Sequence, residues 1–173
     1  MILETDGYRI NFTDAINAFK FDETDSLKST YHGVTELKAV DIIAEFESSY
    51  LFVEIKNYNN PDDYYEAKGI DVDDLQKKHN KFICLKNRLK YKYRDSYIYR
   101  HAENKVDKPI YYLCLLNFDN ALNGKLAKSL RYELPVGIKS PRWHKEIAKS
   151  CQVLNESAWN RNFPKWPLQK ISN

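Results

Sequence analysis

The sequence predicts an α/β domain, bordering on α+β, with a central mixed β-sheet flanked by helices. Three observations predict it. Residues 38–58, KAVDIIAEFESSYLFVEIKNY, read as two strands rich in β-branched and aromatic residues around a polar ESS. From about Asp71 a long helix is expected, because Leu75, His79, Phe82, Leu85, Leu89 and Tyr93 recur at three- and four-residue steps. IYYLCLLNF, residues 110–118, then has the length of a buried strand. Hairpin, helix and strand in that order build a mixed sheet with helical cover.

The remaining elements follow from local signals. FTDAINAFKFDE predicts a first helix, with Thr13 at its N-cap and Ile16 and Phe19 facing inward. DETDSLKSTYHG is a polar connection and NNPDDYYEAKG a loop. Asp71, Asp73 and Asp74 open the long helix, where its dipole favours negative charge. Residues 120–132 predict an amphipathic helix despite Gly124, and RWHKEIAKSCQVLN a further one. FPKWPLQKI reads as an irregular tail packed on the sheet.

Composition narrows the class. A length of 173 residues predicts one domain, 1–173. Hydrophobic residues at 43% and charged residues at 29% exclude wholesale disorder. No apolar run has the length of a membrane span, and MILETDGYRI lacks the features of a signal peptide, so a cytoplasmic protein without membrane contact is expected. Cys84, Cys114 and Cys151 form no CxxC pair and read as buried thiols of a reducing compartment. Charge is divided along the chain: residues 1–75 hold 17 Asp/Glu and 6 Lys/Arg, whereas residues 76–105 hold 10 Lys/Arg and 2 Asp/Glu. An acidic part suits cations and a basic part suits polyanions.

The hairpin raises the chemical question. With Glu47 facing Tyr50, Asp41 falls opposite Lys56 and diagonal to Glu54, and all three share one face. Ile42, Ala44, Phe46, Leu51, Val53 and Ile55 share the other. Adjacent carboxylates repel when both are ionised unless a cation lies between them. Hard oxygen ligands in small number suit Mg²⁺ or Mn²⁺, which polarise a phosphoryl oxygen and acidify a bound water. A lysine beside the ion stabilises charge developing on phosphate. The plainer account is a cross-strand ion pair at a sheet edge.

Asp41, then twelve residues, then Glu54-Ile55-Lys56 resembles the signature of the PD-(D/E)XK nuclease superfamily. The resemblance covers roughly residues 12–118 and implies a restriction-endonuclease-like core. It implies metal ligation by Asp41, Glu54 and the Ile55 carbonyl, with Lys56 as catalytic lysine and Mg²⁺ or Mn²⁺ as cofactor. Val40 stands where the signature has proline, and the acidic residue many members carry in the first helix has only Asp14, Glu23 and Glu36 as substitutes. Gln76 opens the basic helix at a position some relatives use to steady the lysine or to contact the nucleic-acid substrate. Lys77, Lys78 and Lys81, off the apolar face, are expected to stay wet and contact phosphates. The expected function is a metal-dependent nuclease on nucleic acid, DNA first among them, acting in restriction or anti-phage defence, as a homodimer or with a partner protein. The alternative is a catalytically silent nucleic-acid-binding or assembly module of the same fold. Tyr91, Tyr93, Tyr97 and Tyr99 interleave with basic residues as in nucleic-acid surfaces. His32 reads as a turn residue, and His79 as a core residue.

Overall fold

The computed structural model describes residues 1–58 and 75–171, with the backbone alone for 75–80. It is a mixed α/β structure with eight strands and three helices among the described residues. Strands β1 (Ile2–Thr5) and β2 (Tyr8–Asn11) form a hairpin. Its two-residue turn, Asp6-Gly7, has φ of 48° and 78°, the left-handed pair that such a turn requires. β3 (Asn17–Lys20), β4 (Ile42–Glu45) and β5 (Tyr50–Lys56) follow, then helix α1 (Leu75–Ala102) and β6 (Ile110–Leu116). Helix α2 (Asn120–Glu133), β7 (Ser150–Leu154), α3 (Glu156–Asn162) and β8 (Leu168–Lys170) complete the order.

The main sheet runs β3-β4-β5-β6-β7; β4 is antiparallel to both neighbours, while β5, β6 and β7 are parallel. Parallel strands need a long crossover, and α1 supplies it between β5 and β6. A smaller sheet, β1-β2-β8, is antiparallel throughout. The main sheet separates two apolar clusters. On one face Leu85, Leu89 and Tyr93 of α1 and Leu126 and Leu130 of α2 pack on Ile43, Phe52, Tyr112 and Cys151. On the other, Tyr8, Ile10, Leu168 and Trp159 pack on Ile42, Leu51, Val53 and Ile55. Six of the seven residues of β5 are buried, as expected of a central strand covered on both sides.

The hairpin, the long helix, the strand at 110–116 and the helix at 120–133 agree with expectation. Two predicted helices are strands instead. Residues 17–20 pair antiparallel with β4, because the β4 edge offers unpaired backbone groups that tertiary contact satisfies at the expense of local helical pattern. Phe19 and Phe21, two residues apart, bring their rings within 6.2 Å, a strand period that the helical reading overlooked. Residues 150–154, placed in a helix by the sequence reading, are β7 beside β6. The tail is likewise less irregular than expected: Trp166 stacks on Phe46 with centroids 4.9 Å apart, and Leu168–Lys170 joins the small sheet. The expected helix start at Asp71, Asp73 and Asp74 lies outside the described residues.

Helices α1 and α2 are tied by charge. Glu133 accepts from Lys86 and, at 2.7 Å, from Lys90, and these two ammonium groups hold its carboxyl down to about 2. A carboxyl depressed in the folded state contributes stability above its unfolded pKa near 4.5 and loses that contribution as pH falls toward 2. Glu133→Gln should therefore flatten this part of the acid limb in urea unfolding measured from pH 5 to 2. Because the pair is largely wet, the effect at neutral pH is about 1 kcal/mol or less.

Candidate active site

The β4–β5 hairpin turns at Glu47-Ser48, where Phe46 N–H donates to the Ser49 carbonyl at 2.8 Å. Its register pairs Ile42 with Val53 and Glu45 with Tyr50. This differs from the expected register by two residues, which leaves every side chain on its predicted face; alternation alone does not distinguish the two. Lys108 favours the observed turn, since its ammonium reaches Glu45 at 3.0 Å and the Phe46 carbonyl at 2.8 Å. The consequence is chemical. Continued by one pair, the register sets Asp41 across from Glu54 instead of Lys56, so two carboxylates are directly opposed.

Their environment is dry. Asp41 is 5% exposed and Glu54 fully buried. Helix α1 secures the approach to Asp41: Ser96 Oγ accepts from Val40 N–H at 2.9 Å, and Asp95 accepts from Lys38 N–H at 3.0 Å. Asp41 in turn accepts from Ile55 N–H at 2.5 Å, locking the two strand ends together.

Two ammonium groups answer the acid pair. Lys56 Nζ lies 2.9 Å from Glu54 Oε1 and 3.6 Å from Asp41 Oδ2. Lys92 Nζ, from α1, lies 2.9 Å from Glu54 Oε2 and 3.1 Å from Asp41 Oδ1. Asp6 and Asp22 stand at the rim, each 3.4 Å from one of these lysines. Burial and the neighbouring Asp41 push the Glu54 carboxyl up to about 7 against the pull of both lysines. Burial works against the charge on Lys56 and Lys92 as well, but Glu54 and Asp41 outweigh it and hold both ammonium groups above the ordinary lysine range. Each Glu54 oxygen is met by one of the two ammonium groups at 2.9 Å. Such an oxygen pair keeps its capacity to bind a cation.

Asp41, Glu54 and Lys56 thus converge, with Ile55 between them. Asp41, Glu54 and the Ile55 carbonyl, which accepts from Lys56 Nζ at 2.7 Å, are the groups that could hold a metal ion. Among the described residues no three His, Cys, Asp or Glu side chains are grouped to cage one. This donor set suits an ion that keeps several waters, as Mg²⁺ does.

The basic helix departs from expectation. Lys81 is 3% exposed, so it is not the wet phosphate contact the sequence suggested; the side chains of Gln76, Lys77 and Lys78 lie outside the described residues. Lys92 and Asp22 were missed. The buried stripe of α1 runs Lys81, Leu85, Leu89, Lys92, Ser96, Arg100, so the three- and four-residue step continues straight through polar residues. A lysine in register with buried leucines was the available signal. Asp14, Glu23 and Glu36 are not among the site's contacts: Asp14 accepts from Trp166 and Glu23 pairs with Lys28. His32 packs between Phe21 and Tyr99.

Lys92 and Asp22 also line an open cleft of about 590 Å³ with Lys38, Cys84, Arg88 and Tyr91. Comparison with protein-family models, curated proteins and solved structures finds no match. Among the described residues, no helix is long and apolar enough to cross a membrane.

Proposed function

We propose that the chain is a divalent-cation-dependent nuclease that hydrolyses phosphodiester bonds in nucleic acid, DNA first among them, on a restriction-endonuclease-like core. The observation that carries this reading is the dry, directly opposed pair Asp41 and Glu54 with Lys56 2.9 Å from Glu54. The order of hairpin, long helix and parallel strand supports it, although the described residues before the hairpin are strands, not the helix that the resemblance implies. Asp41, Glu54 and the Ile55 carbonyl would hold Mg²⁺ or Mn²⁺, which when bound would supply polarisation of a phosphoryl oxygen and a more acidic water. In the cation-free protein the acid pair holds Lys56 protonated. Its ammonium stabilises charge that develops on the phosphate, in surroundings dry enough to strengthen that interaction.

Full ionic pairing of both carboxylates favours a second reading, an inert buried ion cluster in a nucleic-acid-binding or assembly module. The test is incubation with supercoiled, linear and single-stranded DNA and with RNA, in Mg²⁺, Mn²⁺ or EDTA. Cleavage in either metal that EDTA stops is expected. Binding without cleavage under every condition would replace the nuclease by the silent module.

A further inference from the structure

Lys92 has no role in the chemistry just described, yet it is 7% exposed and sits where a leucine would continue the buried stripe of α1. Burying an ammonium costs both desolvation and side-chain freedom, so packing does not account for it. Its contacts are specific. It meets one oxygen of each carboxylate, while Lys56 meets the other oxygen of each. The acid pair is therefore held between two ammonium groups. Lys92 is the one that borders the cleft, with Asp22 on the same wall 3.4 Å from its Nζ.

We propose that Lys92 is a resident counterion that occupies the carboxylate pair in the cation-free protein and yields it to a divalent cation by transferring its ammonium to Asp22, where it faces a substrate phosphate. The inference rests on the reading that Asp41 and Glu54 take such a cation. Opposed buried carboxylates need compensating charge whenever both are ionised. A divalent ion and an ammonium cannot share the same oxygens without repulsion, so one must leave. Asp22 already contacts Lys92 and is half-exposed, so the exchange needs only a side-chain rotation while α1 stays in place. Arg88 and Lys38 line the same cleft and make it suited to an anionic substrate.

The test is Mn²⁺ titration calorimetry, without substrate, on the wild type, Lys92→Met, Asp22→Asn and the double variant. Removing the competing ammonium should tighten Mn²⁺ binding by at least about tenfold, the low end of what one nearby charge does to a carboxylate's proton affinity. Asp22→Asn should weaken Mn²⁺ binding in the wild type, because the displaced ammonium loses its acceptor, and should change nothing once Lys92 is gone. Equal or weaker binding in Lys92→Met would overturn the exchange while leaving a cation-dependent site intact. Weakening by Asp22→Asn in both backgrounds would make Asp22 a direct ligand and also overturn it. Should Lys92→Met fail to fold, the Asp22→Asn arm decides, since unchanged affinity there excludes the transfer. No Mn²⁺ binding in any of the four proteins would remove the underlying reading of the site together with the inference.

Discussion

Glu54→Gln is expected to abolish phosphodiester cleavage while leaving the protein folded. Gln has the shape of a protonated Glu but offers a cation no negative oxygen. The native state tolerates the neutral form, because burial and Asp41 hold the Glu54 carboxyl at about 7. A carboxyl raised above its unfolded pKa costs stability as it ionises, so the wild type should lose stability as pH rises from about 4.5 to 7 in the absence of metal. Glu54→Gln should lack that loss. Single-turnover cleavage in Mg²⁺ and urea unfolding in EDTA, both across pH 5–8, check the two halves separately. Full activity in Glu54→Gln would remove the carboxylate from the chemistry, whatever its effect on stability.

Lys56→Met should lower the single-turnover rate by about 10²–10³, the usual cost of one preorganised charge-stabilising group. Cation affinity should not fall, because the ammonium repels a cation and contributes none of its ligands. Mn²⁺ calorimetry beside cleavage kinetics separates the outcomes. A variant that loses metal binding but retains its rate per bound metal would make Lys56 structural. The conservative Lys56→Arg is also expected to be poor: the side chain is 14% exposed, and a planar fork does not fit the position where a compact ammonium meets Glu54, Asp41 and Asp6.

The sequence carried much of the site because its strongest signal was local. Alternation on the hairpin fixed which residues share a face, and both faces are as expected: Ile42, Val53 and Ile55 lie in one cluster, Ile43 and Phe52 in the other. The pairing register was not legible, since a two-residue shift preserves alternation and the choice depends on Lys108, some sixty residues away. The strands at 17–20 and 150–154 were hidden for a similar reason. Each forms by pairing with the edge of a sheet whose other strands come from distant sequence. Asp6-Gly7, by contrast, was a legible turn signal that the reading did not use. Lys92 was visible as a basic residue, but its burial follows from how α1 is rotated on the sheet, which a helical period shows only if charged residues are counted as candidates for its buried face.

The three cysteines have a practical consequence. Cys84, against the expectation of three buried thiols, is exposed on α1 and lines the cleft beside Lys92, whereas Cys114 and Cys151 are fully buried in β6 and β7. A thiol reagent therefore meets two kinds of target in one molecule. Modification at Cys84 reports whether the cleft is filled, and modification at the other two waits for the central sheet to open. Quantified by peptide mass, the first rate measures occupancy and the second measures stability, each serving as the internal control for the other.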